Sequence, residues 1–175
     1  MIESTMGLKK IYVAEATGAT DASGNPTYPA AGKAWTDLGD VYKDSCTLKD
    51  DDPTETTHES ETSSKKITLV GDTVTKVELS LMDPNLERLA AYFGGTITGT
   101  TGKQHWIRPK RLPYKEWAIK LMPEDGFMVE SANVRIIPKF EITYSATGIT
   151  LVPMTITLQS ELEYDEEGAD PTKTA

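Results

Sequence analysis

Cysteine is almost absent from this sequence. Cys46 stands alone, which excludes an internal disulfide and any zinc site built on cysteines. Histidine is nearly as scarce: His58 and His105 both sit in polar stretches, and neither has a local serine or Cys46 arrangement that would make a nucleophilic triad. Long apolar runs are missing too. No segment approaches the roughly 18 residues that a membrane helix needs, so no membrane is expected among the partners. The opening Met1-Ile2-Glu3-Ser4-Thr5-Met6 lacks the basic-then-apolar order of a signal peptide, and use without secretion is expected. Positive charge is in deficit, with 18 Lys and Arg against 27 Asp and Glu, a net charge of -9. A chain of that sign does not grip DNA through its overall field.

What is present is an ordinary globular composition, 38% hydrophobic and 26% charged over 175 residues, enough for one domain with a core. Its organising stretch starts at Ile67-Thr68-Leu69-Val70, bends at Gly71-Asp72 and continues to Leu81. Val77, Leu79 and Leu81 alternate with Glu78 and Ser80, the period of two of a half-buried strand. The period then changes. Asp83-Pro84 reads as a helix start, Leu86, Leu89, Ala90 and Phe93 follow at helical spacing, and Gly94-Gly95 supplies the stop. A helix of about ten residues is marginal alone and must lean on a sheet.

Further strands are expected at residues 9–15, with Ile11 and Val13 inward, and across residues 38–48. Another is expected at Trp117, Ile119 and Leu121. Residues 123–126 should turn the chain. Residues 127–137 and 140–144 read as a long extended run in which Pro138 marks an edge or a bulge. Val152, Met154, Ile156 and Leu158 form the clearest alternation of all. Residues 18–33 read as a long loop. Residues 49–64 are almost wholly polar and read as a structureless arm. The domain is thus expected over residues 1–160, with residues 161–175 a loose acidic tail.

Candidate chemistry is thin. Gly99-Thr100-Thr101-Gly102-Lys103 suggests a phosphate loop, but Ile97 replaces its first glycine and Gln104 its hydroxyl. It also follows a helix instead of opening one. Asp50, Asp52 and Glu61 match three positions of a calcium loop, yet Glu55 stands where the obligatory glycine belongs. No cofactor, metal or enzyme constellation is implied.

Two charged features carry more. Lys103, Arg108, Lys110, Arg111 and Lys115 lie among Trp106, Tyr114 and Trp117. Such interleaving can bind single-stranded nucleic acid. The overall acidity instead favours inward-packed tryptophans, with the cations on the surface or in a protein contact. The polar arm supplies Asp50, Asp51, Asp52, Glu55, Glu59 and Glu61. A basic stripe and an acidic arm on one domain are two halves of a head-to-tail self-contact, the kind that generates rings or filaments.

Residues 37–48, Asp52-Pro53-Thr54-Glu55 and Asp83-Pro84-Asn85-Leu86 with its helix resemble the tail tube (major tail) proteins of tailed bacteriophages. So do Trp117-Ala118-Ile119, Pro123-Glu124-Asp125-Gly126 and residues 151–158. The likeness spans residues 38–159. It implies a mainly β fold, a β-sandwich or barrel with one short α-helix, about residues 84–93, at its side. It implies a non-enzymatic subunit of the virion tail, assembled in the host cytoplasm into hexameric rings that stack into a tube. The implied partners are further copies of itself and the tape-measure, tail-terminator and baseplate or tip proteins. DNA would pass through without tight binding. The polar arm would order on reaching the next subunit, and strand faces bearing Thr, Ser, Glu and Asp would line the lumen. A different reading, a monomeric β-sandwich that binds carbohydrate, would need exposed Trp35, Trp106 or Trp117 as stacking platforms.

Overall fold

The computed structural model describes residues 6–16, 35–82, 85–141 and 148–165. In chain order these form β1 (Met6–Glu15), β2 (Thr36–Asp37), β3 (Thr47–Asp51), β4 (Glu55–Glu59), β5 (Lys66–Val70) and β6 (Val74–Met82). The single helix α1 (Leu86–Phe93) follows, then β7 (Thr96–Thr98), β8 (His105–Ile107), β9 (Trp117–Asp125), β10 (Met128–Pro138), β11 (Leu151–Leu158) and β12 (Glu163–Asp165).

The main sheet runs in the order β2-β1-β9-β10-β11-β6-β3, with β12 also paired to β10. Its pairings are antiparallel and it does not close, so β2 and β3 stand at its two ends. The expected mainly β fold with one short helix is what the structure shows.

One face carries the core. Val77, Leu79 and Leu81 of β6 and Val152, Met154 and Ile156 of β11 are buried as their alternation requires, together with Ile11, Val13, Ile119, Leu121 and Val134. Against this face lies α1, through Leu86, Leu89 and Phe93. Strand β1 is buried on both sides, because Tyr12 joins Met122, Met128 and Trp35 in a smaller cluster on the other face.

Asp83 and Pro84 lie outside the described residues. The helix cap in place is Asn85, whose side-chain oxygen accepts from the Arg88 amide at 2.8 Å. That bond satisfies one of the donors a helix start leaves over, and Asn85→Ala is expected to destabilise the fold by about 1 kcal/mol in thermal denaturation. Gly94 ends the helix at a φ of 74, as the glycine pair suggested. The indole of Trp106 donates to its carbonyl at 3.0 Å, tying the β7–β8 hairpin to the helix end.

Several expectations need correcting. Residues 38–48 are not one extended segment. Val41 makes an isolated bridge to Leu81, Asp44 turns the chain at a φ of 60, and the strand resumes at Thr47. Residues 123–125 do not turn but complete β9 against β1, and the reversal comes at Gly126, whose φ is 115. Pro138 does not mark an edge strand. It is the last residue of β10, which lies between β9 and β11, so the missing amide falls where the ladder stops. The irregularity lies earlier, between Ser131 and Val134.

The acidic tail is not wholly loose either, since Glu163–Asp165 pair with Met128–Glu130. The hydroxyl of Ser160 accepts from the Asn133 amide at 3.0 Å and meets the Ser131 hydroxyl at 2.9 Å. That anchor lets the chain continue from β11 along the same border of β10. Backbone pairing does not need apolar side chains, so composition alone missed it. The expected loop at residues 18–33, residues 142–147 and residues 166–175 lie outside the described residues.

Candidate self-assembly surface

The expected arm at residues 49–64 is not structureless: residues 49–51 complete β3 against β6, and Glu55–Glu59 form one strand of a hairpin. Glu55, Thr56, Thr57, His58 and Glu59 pair in register with Val70, Leu69, Thr68, Ile67 and Lys66. The apolar half of the pair, Ile67-Thr68-Leu69-Val70, supplies the β-propensity that a polar partner strand follows. Across the ladder Glu59 meets Lys66 in an ion pair, and the hydroxyls of Thr57 and Thr68 lie 3.2 Å apart. The turn of residues 60–65 closes through the Ser60 amide donating to the Lys65 carbonyl at 3.0 Å.

The hairpin sits between β3 and β6 in the chain, yet every residue of both its strands is exposed. No other described element packs against it to any extent. Because directly opposed residues share a face, Ile67 and Leu69 lie on one side with His58 and Thr56. Ile67 is 48% exposed and Leu69 56%, while Val70 on the opposite side is 61% exposed. Ile67 and Leu69 thus form an exposed apolar pair on one face of the hairpin, a candidate surface for another molecule. The sequence places Ile67 and Leu69 on a strand but does not show that they stay exposed. Alternation shows which residues share a face, but not whether the body of the domain covers that face.

The six acidic arm residues divide into two groups. Asp50 accepts from the Thr75 hydroxyl, Asp51 pairs with Lys76, and Glu59 pairs with Lys66. Asp52, Glu55 and Glu61 have no ionic partner among the described residues.

The basic stripe divides likewise. Arg108 lies over the rings of Phe93 at 5.2 Å and Phe140 at 5.3 Å, and Lys115 lies over Trp117 at 5.8 Å. Lys103, Lys110 and Arg111 are exposed and meet no carboxylate among the described residues. Beside them stand Ile107 and Tyr114, both well exposed. No described ion pair joins the arm to the stripe within the chain.

The three tryptophans are not free platforms. Trp106 and Trp117 are half-buried against the main core, and half-buried Trp35 packs on the Tyr12 cluster with Lys120 at 5.3 Å over its ring. This arrangement matches the inward-packed reading and removes the exposed rings that the carbohydrate reading needed.

Elsewhere, Cys46 lines a groove of about 740 Å³ beside β1 and β9. Burial pushes its thiol up to about 11, which leaves it protonated and a poor nucleophile at neutral pH. Burial likewise raises the Tyr92 hydroxyl to about 12, where it donates to the Leu38 carbonyl at 3.3 Å and braces α1 on the sheet. Among the described residues no three of His, Cys, Asp and Glu gather as metal ligands. No described helix is long and apolar enough to cross a membrane.

A sequence model described as phage tail tube protein matches residues 4–165 of the chain. No curated protein matches it. Solved structures similar to it include a chain from the sheath-tube complex of an extracellular contractile injection system in the extended state. That pair shares 11% identity, with 93% of each chain covered and a TM-score of 0.36. A chain from the six-fold symmetrised baseplate of the anti-feeding prophage is 8% identical, with 92% of this chain and 96% of that one covered and a TM-score of 0.40.

Proposed function

The chain belongs to the phage tail tube protein family, and on that premise we propose that it is a self-assembling structural subunit of a tail tube. Its copies join into hexameric rings, and the rings stack into a conduit for the tape-measure protein and later for DNA. Tail-terminator and baseplate or tip proteins bound the tube at its ends. Assembly takes place in the host cytoplasm and the product is the virion tail. The role is architectural, with no reaction catalysed.

The observation that carries this reading is the β4–β5 hairpin. It is already folded, holds Ile67, Leu69 and Val70 in water, and extends from an open sheet whose end strand β3 has one described neighbour, β6. Such a strand offers unpaired amides and carbonyls to another copy. An apolar pair flanked by Asp52, Glu55 and Glu61 suits a surface bearing Ile107, Tyr114, Lys103, Lys110 and Arg111 on a second copy. Each subunit then both extends an arm and receives one. Because the hairpin is pre-formed, little ordering entropy is lost when it docks.

The test is to concentrate the chain at low salt and look by electron microscopy for rings or tubes of uniform diameter. Reversing Lys110 and Arg111 to glutamate is expected to raise the concentration needed for assembly about tenfold at low salt, since exposed charge pairs contribute up to about 1 kcal/mol each. The difference shrinks as salt screens it. Assembly at an unchanged concentration would show that the stripe is not the receiving surface.

A further inference from the structure

Across the core-bearing sheet lies a second face, which at Arg135 and Ile137 of β10 and along β11, β6 and β3 stays at least partly exposed. Register places its residues in rows. One row is Arg135, Thr157, Lys76 and Lys49, and the next is Ile137, Thr155, Glu78 and Thr47. Ser80 and Pro153 form a third. The face therefore bears the threonines and serine expected of a conduit wall, but also a line of three cations in a chain of net charge -9.

Two of those cations are engaged within the face itself. Lys49 donates to Glu78 across the β3–β6 pair at 2.7 Å, and this bond holds its ammonium above the usual lysine range. Lys76 pairs with Asp51 in the other diagonal of the same strand pair. The third, Arg135, lies over the Tyr114 ring at 5.5 Å.

We propose that Glu78 and Asp51 are masking residues, which hold Lys49 and Lys76 so that this face offers no free ammonium row to a phosphodiester polyanion, duplex DNA, moving past it. The assignment rests on the conduit reading above and names the wall of that conduit. Exposed ion pairs contribute little to folding, so stability alone gives little reason to place two of them in adjacent rows of a partly exposed face. Their effect on a passing phosphate chain is larger. Each free lysine that meets a phosphate releases counterions and adds to retention, whereas a lysine already held by a carboxylate must break that pair first.

The experiment measures binding of a labelled duplex oligonucleotide to the unassembled chain at low salt by fluorescence anisotropy. The native chain is expected to bind weakly. D51N/E78Q should bind about tenfold tighter or more, with the salt dependence of log K steeper by up to about 1.8 for two new phosphate contacts. Adding K49Q/K76Q should remove that gain. E87Q/E161Q, which makes the same change in net charge away from the face, should match the native chain, and circular dichroism should show all four folded.

No gain in D51N/E78Q, an equal gain in E87Q/E161Q, or a gain that survives K49Q/K76Q overturns the masking role. Electron microscopy of the native chain separates this from the parent reading. Tubes without a binding gain overturn the masking and keep the tube. A binding gain without tubes overturns the role in transit.

Discussion

The double variant I67S/L69S is expected to stay folded and to lose self-assembly. Both side chains are about half exposed, lie on one face of the β4–β5 hairpin, and touch no other described element to any extent. Removing them takes little from the domain core, which is built on the main sheet and α1. Docked on a second copy, each would bury its remaining apolar surface, worth about 1 kcal/mol per side chain. Two such losses at every contact amount to roughly a thirtyfold weaker association. Because a tube repeats the contact between all its copies, assembly should vanish at concentrations where the native chain forms tubes. Thermal melting by circular dichroism should move little, and sedimentation velocity should show only the smallest species. Tubes forming at the native concentration would show that the apolar pair of the hairpin is not a contact.

Phe93→Ala is expected to damage the fold itself. Phe93 is fully buried at the end of α1 and holds together parts that sequence places far apart. Its ring centroid lies 5.7 Å from that of Phe140, edge-on, and 6.0 Å from that of Trp106. The Arg108 guanidinium covers it from outside. Truncation leaves a cavity where the helix, the β7–β8 hairpin and the core meet, at a cost of about 3–5 kcal/mol. Against a total stability of about 5–15 kcal/mol, that is a large share. For a domain of this size the melting temperature should fall by roughly 6–20 °C. Trp106 emission should shift to the red as water reaches its ring. Phe93→Leu, which keeps most of the volume, should cost far less. An unchanged melting temperature would mean that the helix does not seat on the sheet through this ring.

Parts of this architecture were legible because one residue pattern has one physical solution. Val77, Leu79 and Leu81 can be buried together only on a strand, and Leu86, Leu89 and Phe93 only on a helix. The hairpin was hidden for the opposite reason. Glu55-Thr56-Thr57-His58-Glu59 has no apolar face, and its partner Ile67-Thr68-Leu69-Val70 read as the start of the strand leading into Val77. Pairing of this kind is carried by backbone hydrogen bonds, which leave no mark on side-chain periodicity. The same blindness concealed Glu163–Asp165 against β10.

The charged residues were legible as a list and not as an arrangement. Lys49, Lys76, Glu78 and Asp51 come from two strands separated by the whole hairpin, and only the β3–β6 register sets each cation beside a carboxylate. The same holds for the six acidic arm residues, of which Asp50, Asp51 and Glu59 are taken up within the chain while Asp52, Glu55 and Glu61 are not.

Residue order alone determined the family, the alternating strands, the helix at Leu86–Phe93, and the lack of an internal disulfide partner for Cys46. Each depends on spacing along the chain or on residues simply not being there. Tertiary structure decided what the body of the domain covers and what it leaves bare: three tryptophans drawn in, a hairpin left out, and a sheet that does not close. Burial is a property of the packed whole, because whether a side chain meets water depends on elements far away in sequence coming to rest over it.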